Sequence, residues 1–173
     1  MARSTAMTNN PPEKIESVIV RLMTKRKWTL ALAESCTGGL IAHRITNVPG
    51  ASKIFRGGIV AYSNDAKQKF LGVRPGALAR HGAVSRAVAR EMALGARKRF
   101  GTDFAIAVTG IAGPSGGTKS KPVGTVFIAL AGKLQTGTVR KLNPLSREQF
   151  KRQTAEQALS LLLQRVRSDA LCA

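Results

Sequence analysis

Residues 28–45 read WTLALAESCTGGLIAHRI, and the fold follows from this stretch. It opens with a short apolar segment, 28–33, suited to a buried strand. Glu34-Ser35-Cys36-Thr37-Gly38-Gly39 then breaks the apolar run with a carboxylate, hydroxyls and two glycines. Leu40, Ile41, Arg44 and Ile45 resume it at helical spacing. Strand, polar-glycine turn and helix is the opening unit of a layered α/β domain, and it predicts a helix N-terminus directly after Ser35.

The same alternation continues on both sides. Ile15, Val18, Ile19, Leu22 and Met23 predict an amphipathic helix ending near Lys25. A second strand over 55–61 leads to Ser63-Asn64-Asp65, which caps a short helix carrying Lys67 and ending near Leu71-Gly72. Ser85 caps a longer helix through Val88, Met92 and Ala96 to Phe100, with Gly101 just past its end. His81 falls in the loop before it. A third strand over 104–108 runs into TGIAGPSGGT (109–118), too glycine-rich for regular structure. Strands over 123–131 and 134–142 leave only Gly132-Lys133 between them, a tight antiparallel hairpin. A last helix runs from Ser146 to about Arg167. The sheet is therefore expected to be mixed and largely parallel.

Length and composition bound the rest. A chain of 173 residues suits one domain, expected over 13–168, with a disordered leader over 1–12 and a short tail over 169–173. No apolar run approaches the roughly 20 residues needed to span a bilayer, and the first residues carry no hydrophobic segment of a secretory signal. Two cysteines and two histidines give neither a disulfide framework nor a metal site. A cytoplasmic setting is expected, with no membrane partner. Twenty-eight Lys+Arg against nine Asp+Glu give a formal charge of +19, which favours phosphorylated small molecules or nucleic acid. The cations are spread along the chain, and a solvated basic surface explains them equally well.

Candidate chemistry gathers at the expected strand ends, because ligands of open α/β sheets bind beyond the carboxyl ends of parallel strands. Those ends are Glu34-Ser35, Tyr62-Ser63-Asn64 and Thr109-Gly110. Backbone amides at Ser35-Cys36-Thr37-Gly38-Gly39 are placed to bind a phosphate or an oxyanion; the plain alternative is an ordinary helix cap. A serine nucleophile needs a base. His43 and His81 lack a carboxylate to orient them, so Lys67, made neutral by desolvation and neighbouring positive charge, is the better candidate; otherwise it is a surface lysine beside Lys69. Tyr62 relays a proton, stacks on a ring or fills space, and Thr109 donates to a substrate carbonyl or phosphate. Cys36 is a rival nucleophile. Ser35 is preferred, although spacing alone does not choose.

The stretches AESCTGG (33–39), GGIVAYSNDAK (57–67), LGV (71–73), GAVS (82–85), VTGIAGP (108–114) and KPVG (121–124) occur in this order. Together they resemble the CinA C-terminal domain family, over residues of about 14 to 165, whose characterised members are nicotinamide-nucleotide amidases. The resemblance implies a single three-layer α/β/α domain with a five-stranded sheet. It implies hydrolysis of the carboxamide of nicotinamide mononucleotide to nicotinate mononucleotide and ammonia, in NAD salvage, with no metal or organic cofactor. The family's serine nucleophile falls on Ser35, its lysine base on Lys67, and its active-site tyrosine and threonine on Tyr62 and Thr109. Its substrate-binding arginine falls on Arg147, where Leu145-Ser146 replace the Gly-Asp that often precedes it. Cys36, Thr37, Gly38, Gly39, Asn64 and Gly110 are the remaining expected substrate contacts. The expected partners are nicotinamide mononucleotide and further copies of the chain in a homo-oligomer. The competing reading is a catalytically silent member binding nucleic acid or a nucleotide through its basic surface. Nucleic acid is not favoured, because aromatics are only 5% and no aromatic-basic surface for stacking single strands is visible.

Overall fold

The computed structural model describes residues 13–171; the expected leader over 1–12 lies outside them. In chain order the elements are α1 (Ile15–Arg26), β1 (Leu30–Glu34), α2 (Leu40–Thr46), a 3₁₀ turn (Ala51–Lys53), β2 (Phe55–Val60), α3 (Asn64–Leu71), α4 (Pro75–His81), α5 (Arg86–Phe100), β3 (Phe104–Gly110), β4 (Thr125–Ala131), β5 (Thr136–Leu142) and α6 (Arg147–Leu171). The strands form one five-stranded sheet in the order β2-β1-β3-β4-β5. β1 pairs in parallel with β2 and β3, while β3–β4 and β4–β5 are antiparallel. Only β4 therefore runs against the others, which gives the mixed, mostly parallel sheet that was expected.

Strand alternation sorts the side chains by size onto two faces. Leu30 and Leu32, Phe104, Ile106 and Val108, and Val126, Ile128 and Leu130 bury against α1, α2 and α6. The other face presents Ala31, Ala33, Ala105, Ala107, Ala129 and Ala131 to Val88, Ala89, Met92, Ala93 and Ala96 of α5. Small residues on both sides let α5 lie close to the sheet, and the molecule has three layers. Among the described residues no helix is long and apolar enough to cross a membrane.

The two helices that matter most to the site are fixed by their caps and by one glycine. Ser63 accepts from the Ala66 amide at the start of α3, and Ser85 from the Val88 amide at the start of α5, as the sequence predicts. Gly95 of α5 has no room for a side chain: a Cβ there would sit 1.8 Å from the Leu71 carbonyl oxygen at the end of α3. Backbone contact at this point seats α3, the helix that carries Lys67, against α5.

Local expectations fail at four places, one being the last helix, which runs on to Leu171 through part of the expected tail over 169–173. His81, expected in a loop, is the last residue of α4, a short helix with Pro75 in its first turn and only Ala77 buried, too little apolar periodicity to detect. The β4–β5 connection spans residues 132–135 rather than two, closed by the Gly132 amide on the Gln135 carbonyl, with Leu134 exposed at its tip. The helix after Ser35 begins at Leu40, not at once; the cause lies in Glu34.

At an exposed helix site Gly→Ala stabilises by about 1 kcal/mol. Gly95→Ala is expected to do the opposite and lose about 1–3 kcal/mol, seen as a lowered midpoint in denaturant titration; a stabilised variant would disprove the close α3–α5 contact.

Candidate active site

Glu34 ends β1 with its carboxylate only 2% exposed. One oxygen accepts from Thr37 Oγ1 at 2.7 Å, the Gly39 amide at 3.0 Å and the Ile41 amide at 3.1 Å; the other accepts from the Ala42 amide at 2.8 Å. A carboxylate thus fills the positive N-terminus of α2 and satisfies donors that would otherwise be orphaned. Residues 35–39 are forced out as a compact turn, which Gly38 and Gly39 close at φ of 63° and 95°, conformations open to glycine. Ser35 is therefore not the cap of α2: its amide bonds Val108 O and its carbonyl accepts from the Gly38 amide. Among the described residues, the amides of Cys36 and Thr37 make no hydrogen bond to another residue.

The parallel strands bring their ends to one rim, with Glu34 level with Val60 on β2 and Val108 on β3. The Ala61 amide bonds the Glu34 carbonyl, which turns the Ala61 and Tyr62 carbonyls toward α3. Lys67, one turn into α3, reaches back beneath them and is 2% exposed. Its Nζ lies 3.0 Å from Ser35 Oγ, 2.9 Å from Ala61 O and 3.3 Å from Tyr62 O. No carboxylate pairs with it among the described residues. Burial lowers its pKa below the ordinary lysine value of 10.5, since desolvation disfavours the ammonium. Two carbonyls accept two N–H bonds, and the third direction points at the serine. A neutral amine has its lone pair in that direction, where it can accept a proton from the Ser35 hydroxyl. Burial lowers the lysine against an opposing interaction with Cys36; no neighbouring cation contributes.

Cys36 sits in the apolar cluster beneath the turn, and burial, reinforced by the Glu34 charge, pushes its thiol up to about 12. A thiol held protonated is a poor nucleophile, which separates the two adjacent candidates in favour of Ser35.

Ser35, Cys36, Tyr62, Asn64, Lys67, Thr109, Gly110 and Arg147 share one cleft of about 320 Å³, with Ala83, Val84 and residues 111–113, 115 and 116. Thr109 Oγ1 donates to Ala83 O at 2.9 Å. Its proton is spent on tethering the wall of the cleft, leaving the oxygen as an acceptor. A Cβ at Gly110 would approach Phe150 and the Thr125 carbonyl to about 3.0 Å, so this glycine admits α6 beside the strand end. Arg147 spans the mouth, donating to Gly113 O at 2.9 Å and to the exposed Tyr62 hydroxyl at 2.6 Å. Thr37, Gly38 and Gly39 do not line the cleft; they form the turn behind it. Sequence reasoning missed Glu34 as the residue that shapes the site. Its signal was an acid at the end of an apolar strand, where a solvated side chain is not expected.

A family model described as the CinA C-terminal domain matches residues 12–166. A CinA-like protein of Thermotoga maritima is 59% identical over 116 residues, covering 67% of this chain and 28% of that protein. One from Chlorobaculum tepidum is 55% identical over 126 residues, covering 73% of this chain and 30% of its own length. The chain spans 28% to 38% of the length of the curated relatives it matches. The crystal structure of a CinA superfamily protein from Klebsiella pneumoniae superposes with a TM-score of 0.86 at 34% identity, covering 89% of this chain and 96% of that one. The competence/damage inducible protein CihA of Agrobacterium tumefaciens gives 0.81 at 38%, covering 87% and 95%.

Glu34→Ala leaves the four donors of the turn without their acceptor and is expected to cost about 3 kcal/mol in denaturant unfolding. An unchanged unfolding midpoint would show that the carboxylate does not hold the turn.

Proposed function

The chain belongs to the CinA C-terminal domain family, and from that premise we propose that it is an amidohydrolase that deamidates nicotinamide mononucleotide in NAD salvage. The observation that carries this reading is the buried Lys67 amine 3.0 Å from Ser35 Oγ, in a cleft shared with Tyr62, Thr109 and Arg147. An alcohol beside a desolvated amine is an activated nucleophile with its own base.

Ser35 Oγ attacks the carboxamide carbon while its proton passes to Lys67 Nζ. The developing oxyanion is met by the amide of Cys36, the residue of the turn that lines the cleft and whose amide Glu34 leaves free. The amides at the start of α2 cannot serve, since Gly39, Ile41 and Ala42 already donate to Glu34. The Lys67 ammonium, surrounded by carbonyls and poorly solvated, gives its proton to the departing nitrogen, which leaves as ammonia. A water activated by the regenerated amine then attacks the Ser35 ester, releasing the carboxylate and restoring the serine. Every step uses groups of this chain and water.

Arg147 is the one exposed cation lining the cleft, so the nucleotide phosphate is assigned to it. Its bonds to Tyr62 and Gly113 set it across the mouth, where an anion outcompetes a phenol or a carbonyl for a guanidinium.

Incubation with nicotinamide mononucleotide and measurement of ammonia tests the reading. Ser35→Ala and Lys67→Ala are each expected to reduce kcat by at least about a thousandfold while remaining folded. Because the neutral amine is the active form, wild-type kcat/KM rises with pH through the Lys67 pKa, and burial places that rise below 10.5. Absence of ammonia release by the wild type, or full activity of Ser35→Ala, would reject the proposal.

A further inference from the structure

The cleft uses little of the chain's charge: one phosphate needs far less than +19. The carboxylates divide the remainder unevenly. Ion pairs neutralise Arg21, Arg44, Arg74, Lys133, Arg152 and Arg165. Glu34 is buried at the start of α2, and Asp65 sits in the first turn of α3. None of these acids is paired with a cation around the β5 edge and the start of α5.

There, cations are held by neutral groups instead. Arg86 donates to the Thr138 carbonyl, Arg140 to the Ser120 carbonyl at 2.7 Å, and Lys121 to the His81 carbonyl at 2.7 Å. These bonds join α5, β5, the segment around 118–121 and the end of α4 into one face. Thr138 and Arg140 lie on the same side of β5, and Arg140 covers the ring of Phe127, which packs on the α5 side of the sheet. Arg90 follows Arg86 by one helical turn, and Lys119 adjoins Ser120. Both are exposed, and among the described residues neither is hydrogen-bonded or ion-paired. A carbonyl fixes the position of a guanidinium or ammonium without cancelling its charge, so part of the ordering cost of binding a polyanion is already met.

We propose that this face, formed by Arg86, Arg90, Lys119, Lys121 and Arg140, docks the phosphate backbone of double-stranded nucleic acid. A duplex fits better than a single strand because stacking needs exposed rings, and the exposed aromatics, Tyr62 and Phe70, belong to the cleft mouth and α3. None of the five cations lines the cleft, so this inference stands or falls independently of the amidase reading.

The test is fluorescence anisotropy of the full chain on a mixed-sequence DNA duplex of about 20 base pairs, titrated with salt. Five phosphate contacts predict a slope of log K against log salt of about −4.5. Among the described residues Arg90 and Lys119 make no hydrogen bond or ion pair, and Arg90 interacts only through its charge with the neighbouring Glu91, so the double variant Arg90→Glu/Lys119→Glu is expected to fold as the wild type does. It is expected to lose about two units of slope and at least about tenfold in affinity near 0.1 M salt. Lys53→Glu/Arg56→Glu makes the same change in net charge at the opposite, β2 edge of the sheet and is expected to stay within about twofold of wild type. Equal loss in both variants would overturn the proposal by showing only diffuse attraction to a basic protein. Absence of wild-type binding, or tighter binding to the single strand than to the duplex, would also overturn it.

Discussion

Burying an amine without an opposite charge constrains everything around it. Desolvating an ammonium costs several kcal/mol in a protein interior, and among the described residues Lys67 has no carboxylate to offset this. It has carbonyls and a hydroxyl, which a neutral amine can satisfy. The neighbouring structure keeps these groups in place: the Ala61 amide is tied to Glu34 O, and α3 is seated on α5 where Gly95 meets the end of α3. Loosening either would admit water and relieve the desolvation that lowers the Lys67 pKa.

The second constraint is Glu34, a buried acid immediately before Ser35 in the chain. Its carboxylate occupies the positive end of α2, the place where such folds usually receive a ligand anion. The anion site is thus filled from within, and ligand chemistry moves to the turn and the strand ends. Burial, with a smaller contribution from the same charge, raises the Cys36 thiol, so the side chain that shapes the turn also adds to what keeps the neighbouring sulfur protonated. Arg147 and Tyr62 then close the opposite wall by a bond between side chains 85 residues apart.

The layers, the five strands and the capped helices were legible because they rest on local signals: alternation, helical spacing, Ser63 and Ser85 as caps, Gly101 after α5. The pairing of Ser35 with Lys67 was also anticipated, since both follow strands whose ends had to converge if parallel. α4 was invisible because it buries one alanine. The role of Glu34 was hidden for another reason: its partners, from Thr37 to Ala42, are local in sequence, yet their geometry depends on a carboxylate being buried among them. The tether from Thr109 to Ala83 and the division of cations into paired and carbonyl-held sets arise from long-range packing, which spacing does not encode.

The most direct measurement is an NMR titration of the Lys67 side chain with isotope-labelled lysine, assigned by comparison with Lys67→Arg. A protonation midpoint below the ordinary lysine value of 10.5, returning toward that value when the protein is unfolded, is the expected result. A midpoint at or above it would mean that the buried amine keeps its proton, and Ser35 would have no base.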